Sequence, residues 1–286
     1  MSNINIRIGG VPEHFNLPIH LANERGDFEK NNISIEWTDF YGGTGQMTKA
    51  LREDEVDICL LLTEGIIADI IKGNPSKIVS DFVITPLTWG IHTGIDSTMQ
   101  RGDTIFDKRH AISRFGSGSH LMSIVNANSK GQTMKTEQFT VINNLDGALA
   151  SLNNLETDVF YWEKYTTKPY VDAGQIRRIG EYITPWPCFV IAATDNILRE
   201  HSGTIDNMLD IIQESCQQFM EDETVIPITS QRYEQKLEDI ERWYHSTEWA
   251  ADSWVSDKMI TSVIFHLKAA NIVPADQPIP ELIWKR

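Results

Sequence analysis

The first seventy residues alternate short apolar strands with turns and helices, and that alternation restricts the chain to an α/β layout. Residues 4–9 form a short alternating strand that breaks at residues 10–16. A helix follows, opening at Pro18 and stopping at Gly26. Residues 33–37 are a second strand. Gly42, Gly43, Thr44 and Gly45 then turn the chain into a helix that carries Met47, Ala50 and Leu51. Residues 57–62 are a third, continuous apolar strand that ends at Thr63 and Glu64, where another helix starts. In such units ligands sit outside the carboxyl ends of the strands. Here those ends carry Pro12, Glu13, His14, Phe15 and Asn16, then Tyr41 to Thr44, then Thr63 and Glu64. The layout therefore predicts a binding cleft and names its first wall.

The same residues resemble a known family. Pro12 and Pro18 frame the loop, residues 22–37 read ANERGDFEKNNISIEW, a glycine turn follows, and residues 50–65 read ALREDEVDICLLLTEG. This order is similar to the first lobe of type 2 periplasmic binding proteins of the sulfonate, nitrate and taurine group. The thiamine-pyrimidine synthases of fungi share that fold. Residues 10–18 resemble more closely an intracellular branch of these solute-binding-like, ABC-transporter-like proteins. The resemblance covers residues 4–73 well, is patchy over 110–195 and is weak afterwards. It implies a hinged, two-lobe α/β protein whose mixed sheets are flanked by helices and which grips a small ligand between its lobes.

The 286 residues suffice for one large domain or two small ones. A net charge of −15, from 25 basic and 40 acidic side chains, disfavours nucleic acid and anionic membranes as partners. It leaves an anionic ligand open, because a cleft can be locally positive on an acidic surface. No run approaches the roughly eighteen apolar residues of a membrane span. The start of the chain lacks the pattern of a secretory signal. The expected location is therefore cytoplasmic, or periplasmic or extracellular if a signal has been trimmed away. Cys59, Cys188 and Cys216 have no close spacing and read as small buried hydrophobes.

Further along, residues 77–84 read as a strand ended by Pro86, and residues 89–94 as a crossing to a second lobe. Residues 109–115, 139–142, 157–162 and 175–180 read as strands of that lobe, and residues 163–173 as a helix. Pro185 and Pro187 precede a core strand, residues 188–193, which marks the return. The expected division is 1–90 with 187–286 as lobe 1, including C-terminal helices, and 91–186 as lobe 2. Ile205, Met208, Leu209, Ile212, Cys216 and Phe219 fall on one helical face. So do Val255, Met259, Val263, Leu267 and Ala270. Trp243, Tyr244, Trp249 and Trp254 form a C-terminal aromatic cluster read as helix packing, with a lid or dimer surface as the other readings.

The strongest chemical signal is the run Gly116, Ser117, Gly118, Ser119, His120 between a strand and a helix. Free amides at a helix start, with hydroxyls beside them, bind an anion or a carbonyl oxygen; a serine N-cap alone would give the same pattern. The resemblance places the second lobe's grip here. Tyr41, Gly43 and Thr44 make the matching offer from lobe 1, and the same turn also caps a helix. Phe15 can stack on a flat ligand or plug the core. His14 and Asn16 can hydrogen-bond the ligand, or His14 can lie on the surface. Trp162 ends a lobe 2 strand and is expected to face the cleft. No nucleophile elbow, P-loop, H-E-x-x-H or dinucleotide glycine pattern occurs, and the cysteine-rich string of the fungal synthases is missing. The expectation is binding of a small planar or anionic metabolite without a cofactor or metal. The alternatives are an enzyme acting on a small heterocycle in the same cleft, and a sensor whose closed form docks a protein partner.

Overall fold

The computed structural model of the chain describes residues 3–252 and 255–285, so Trp254 lies outside the described residues. Two compact units emerge: Met1–Thr85 with Trp186–Ile264 and Asp276–Arg286, and Pro86–Pro185 with Phe265–Ala275. Residues 265–275 thus count with the second unit, although hydrophobic periodicity alone groups them with the rest of the C-terminal helices.

In the first unit, β1 (Ile4–Gly10) pairs parallel with β2 (Ile33–Asp39) and with β3 (Ile58–Leu62). The alternation is visible in burial: Ile6 and Ile8 are fully buried on one side of β1. Each strand is followed by a helix: α1 (Leu17–Glu24) with a proline in its first turn, α2 (Thr44–Arg52) and α3 (Thr63–Ile71). Gly43, at φ 66°, supplies the left-handed residue that turns the chain into α2.

Two long strands contribute residues to both units: β4 (Ser76–Gly94) and β8 (Ile176–Thr194), the latter antiparallel to β3. The segments expected as separate, 77–84 and 89–94 around Pro86 and 175–180 and 188–193 around Pro185 and Pro187, are each one continuous strand. Pro86 and Pro185 are exposed and Pro187 is half-buried. After β8 come α7 (Asp195–Glu221), α8 (Val225–Arg232), α9 (Leu237–His245) and α10 (Asp257–Ala269). All six residues of the expected α7 face, and all five of the second face, are buried.

In the second unit, β5 (His110–Ile112) pairs parallel with β6 (Phe139–Val141) and with β7 (Val159–Glu163), and β7 pairs antiparallel with β4. Between them lie α4 (Gly118–Ser129), α5 (Leu145–Asn153) and, after β7, the short α6 (Lys168–Asp172). The hydrogen-bonded strand order is β2-β1-β3-β8-β4-β7-β5-β6. A core of Ala111, Ile142, Ala148, Leu152, Phe160 and Ile176 holds α5 to this unit's strands. The helix expected over 163–173 is shortened to α6. Its first residues form a turn around the buried Glu163, whose Oε2 accepts from the Tyr165 and Thr166 N–H groups at 2.9 and 2.6 Å and from Thr166 Oγ1 at 2.9 Å.

Candidate functional site

The loop after β1 is anchored from within. Asn16 Nδ2 donates to the Val11 carbonyl at 2.7 Å. A Cβ on Gly10 would lie 2.6 Å from that nitrogen and 2.9 Å from the Trp37 ring, so only glycine lets the loop close this tightly. Glu13, half-buried, precedes the single helical turn His14–Asn16. Phe15 packs against Phe189 and Trp243 at 5.1 and 5.4 Å, which is the core-plugging alternative of its two readings. His14 is buried, not on the surface: it stacks on Phe15 at 4.8 Å and meets the edge of Trp243 at 4.3 Å. Burial pushes its imidazole down to about 3, so it stays neutral.

Around His14 the hydrogen bonding is incomplete. Its Nε2, the Trp243 Nε1 and the Gln235 Oε1 are all buried without a protein partner among the described residues. Gln235 Nε2 lies 3.5 Å from His14 Nδ1. Buried polar groups are ordinarily satisfied, so three beside one ring point to water or a ligand. Trp243 and Gln235 lie more than two hundred residues from His14, and no local pattern announces them.

The other two strand ends of this unit are built differently. Thr44 is buried and its Oγ1 accepts from the Leu62 N–H at 3.3 Å; Thr63 Oγ1 donates to the Pro187 carbonyl at 2.8 Å. Gln46 Oε1 accepts from the Gly42 N–H at 2.9 Å, which leaves Tyr41 standing out beside Gly43, 70% exposed. Glu64 is buried. Its Oε2 accepts from the Trp186 indole N–H at 2.9 Å, and its Oε1 has no partner among the described residues. Burial pushes this carboxyl up to about 7, with the indole N–H pulling it the other way.

In the second unit the run from Gly116 to His120 forms the start of α4. Gly116 takes φ 82°. Ser117 is the N-cap, and its Oγ accepts from the His120 N–H at 3.4 Å and lies 3.0 Å from Ser119 Oγ. Ser119 Oγ accepts in turn from the Ser113 N–H at 3.1 Å. His120 Nδ1 accepts from the Gly116 N–H at 3.0 Å, and its ring stands edge-on to Phe139 at 4.6 Å. The N-cap reading is therefore correct as far as it goes. It leaves the Gly118 and Ser119 N–H groups, two of the four a helix start presents, without an acceptor among the described residues. Trp162 is half-buried, stacks on Phe160 at 5.3 Å and packs on the Ala111–Leu152 core.

Among the described residues no group of three or more histidines, cysteines or acids is placed to hold a metal ion, and no helix is long and apolar enough to cross a membrane. The three cysteines are buried thiols.

Sheet strands flanked by helices, with loops at the strands' carboxyl ends, match the periplasmic-binding-protein fold. A family model described as Ca3427-like PBP matches residues 89–182. The solved Candida albicans CA3427 gene product, said to define a new family with the generic periplasmic binding protein fold, is 30% identical, with 95% of this chain and 92% of that chain covered and a TM-score of 0.89. The chain belongs to this Ca3427-like family. The alkanesulfonate-binding protein SsuA from Xanthomonas axonopodis pv. citri, bound to MOPS, shares the fold at 14% identity, with 99% of both chains covered and a TM-score of 0.81. The aliphatic sulphonate binding protein SsuA from Escherichia coli does so at 15% identity, with 99% and 93% covered and a TM-score of 0.73. No curated protein matches the chain.

Proposed function

We propose that the protein captures a small planar or anionic metabolite by closing two hinged lobes, 1–90 with 187–286 and 91–186, without converting it. The observation that carries this reading is the turn at the start of α4. Two amide N–H groups without an acceptor among the described residues stand beside the Ser117 and Ser119 hydroxyls, and such a site suits a sulfonate, a carboxylate or a heterocycle carbonyl. Glu13, His14, Asn16, Tyr41, Gly43, Thr44 and Glu64 would contribute from lobe 1, and Ser117, Gly118, Ser119, His120 and Trp162 from lobe 2. Phe15 and Thr63, whose side chains are used within their unit, would support them. A ligand that touches both lobes favours the closed state by its differential affinity for it. The proposed location is the cytoplasm.

Thermal-shift screening with MOPS and other sulfonates, and with substituted pyrimidines, tests this reading, because a ligand that binds only the folded state raises the melting temperature. Replacing Ser117 and Ser119 together by alanine is expected to weaken binding of the stabilising compound by roughly 1–3 kcal/mol. It also removes the N-cap and costs about 1 kcal/mol of stability. Calorimetry on the folded variant separates the two effects. Lost stability with unchanged affinity would leave these serines as caps only.

One observation favours an enzyme as the second reading. Glu64, buried, with its Oε1 unpartnered among the described residues and its carboxyl pushed up to about 7 by burial, has the character of a general acid or base. Turnover of a bound heterocycle that is lost in Glu64→Gln would select it.

A further inference from the structure

The second unit contains a pocket of about 70 Å³ that is lined by none of the Ser117–His120 residues. Its walls are Arg101, Arg178, Ile179, Gly180 and Glu181. Strand β8 brings four of these together. Arg101 comes from the segment between β4 and β5. Arg177 ties that segment to β8: its Nε donates to the Ile95 carbonyl at 3.3 Å, and its Nη2 donates to the carbonyls of Ser97 and, at 3.0 Å, Met99. The arginine next to it is thereby held opposite Arg101 for reasons unrelated to its own bonding.

Arg178 is placed with care and then underused. It passes over Gly90, where a Cβ would lie 3.2 Å from its Nε and 2.4 Å from the ring of His92. Its side chain is only 15% exposed. Of its five N–H donors, one makes a hydrogen bond, from Nη2 to the Lys164 carbonyl at 2.7 Å. Nη1 stands 3.7 Å from Glu181 Oε1, too far for a hydrogen bond. The Nε–H is buried with no partner among the described residues. Arg101 is exposed and makes no hydrogen bond or ion pair among them.

The local charge is positive although the chain carries −15. Glu181 is already held by Lys164 Nζ at 3.0 Å. Glu163, the other carboxyl within electrostatic reach of Arg178, spends its Oε2 on the turn that follows β7. Both arginines therefore line one small cavity, and their guanidinium groups have almost no acceptors of their own among the described residues. A planar fork of donors matches the oxygens of an oxyanion. The cavity exceeds the roughly 10–15 Å³ that a single water needs and is too small for a nucleotide.

We infer that this pocket is a second ligand site, in which Arg101 and Arg178 clasp a small oxyanion of the carboxylate, sulfate or phosphate class. The site stands independently of the ligand reading above, because no residue is shared between them. Ile179, the apolar side chain of the lining, suits an anion carried on a short organic group.

Calorimetry on the full chain at low ionic strength tests the inference, with inorganic phosphate, sulfate and acetate as probes and chloride as the control. The expected result is one saturable site for at least one oxyanion and none for chloride. The three arms separate a tetrahedral inorganic ion from a planar carboxylate as the preferred occupant. Arg101→Ala, at an exposed position whose loss the fold tolerates, is expected to weaken that binding roughly tenfold, and Arg178→Gln to abolish it. The Ser117→Ala/Ser119→Ala variant is expected to bind the same oxyanion unchanged, which separates this site from the proposed cleft. No saturable binding of any of the three oxyanions would overturn the inference. Equal affinity in wild type and Arg101→Ala would overturn it as well, whether or not Arg178→Gln folds.

Discussion

Replacing Trp249 by alanine is expected to cost about 3–5 kcal/mol of stability, the range for emptying a buried aromatic site. The side chain is 1% exposed and packs at 5.0 Å against Phe219 and 5.4 Å against Trp243. Its backbone adds a ladder to β4, with Ala250 N–H donating to Phe82 O and Ile84 N–H donating to Glu248 O, both at 2.9 Å. Its indole N–H donates to the Phe15 carbonyl at 3.0 Å. The substitution thus opens a cavity and also frees the loop that carries Glu13, His14 and Asn16. Urea unfolding gives the first effect. Hydrogen exchange at residues 13–16 in the folded variant gives the second, as faster opening. Tyr41→Ala is the internal control: the ring is largely exposed, so its removal is expected to change stability by less than about 0.5 kcal/mol. A Trp249→Ala protein as stable as the Tyr41→Ala protein would contradict this account of how the loop is held.

The second large effect is a pH dependence at Glu64. Its folded-state carboxyl titrates at about 7 against an ordinary 4.5, because burial disfavours the charged form. The folded state therefore binds this proton more tightly than the unfolded state does. Below pH 4.5 both states are protonated and no penalty exists. Between pH 4.5 and 7 the unfolded state ionises first and stability falls, and above pH 7 the loss is complete at roughly 3 kcal/mol. Glu64→Gln keeps an acceptor for the Trp186 indole and removes the ionisation. Its amide N–H₂ adds a constant, pH-independent cost if left unbonded. The stability difference between variant and wild type is accordingly expected to move by about 2–3 kcal/mol in favour of the variant between pH 4 and pH 8. A difference that stays flat over that range would show that water reaches the carboxyl. The same titration bears on function, since a carboxyl poised near 7 can donate a hydrogen bond to a ligand when protonated and accept one when ionised.

Local patterns carried much of this fold. The β1, β2 and β3 strands, the glycine turn into α2 and the apolar faces of α7 and α10 are all periodicity or turn chemistry, and each is settled within a dozen residues. The N-cap role of Ser117 was legible for the same reason. What failed to show was non-local. Pro86, Pro185 and Pro187 look like strand breaks in isolation, yet β4 and β8 run through them. The burial of His14 depends on Trp243 and Gln235, which arrive with the C-terminal helices. The start of the helix expected over 163–173 is replaced by a turn because the buried Glu163 carboxylate collects the Tyr165 and Thr166 N–H groups. Arg178 carries no signal in its own neighbourhood, because its surroundings are set by Gly90 on another strand and by the segment that Arg177 holds.

The proposal that this chain holds a small ligand without converting it meets its most direct test in native mass spectrometry of the freshly purified protein. The expected spectrum shows the chain with a noncovalently bound small organic mass, absent under denaturing conditions and not retained by the Ser117→Ala/Ser119→Ala variant. The released compound keeps its mass after prolonged incubation with fresh protein. A released compound whose mass changes during that incubation, or an adduct retained equally by the serine variant, would contradict the account.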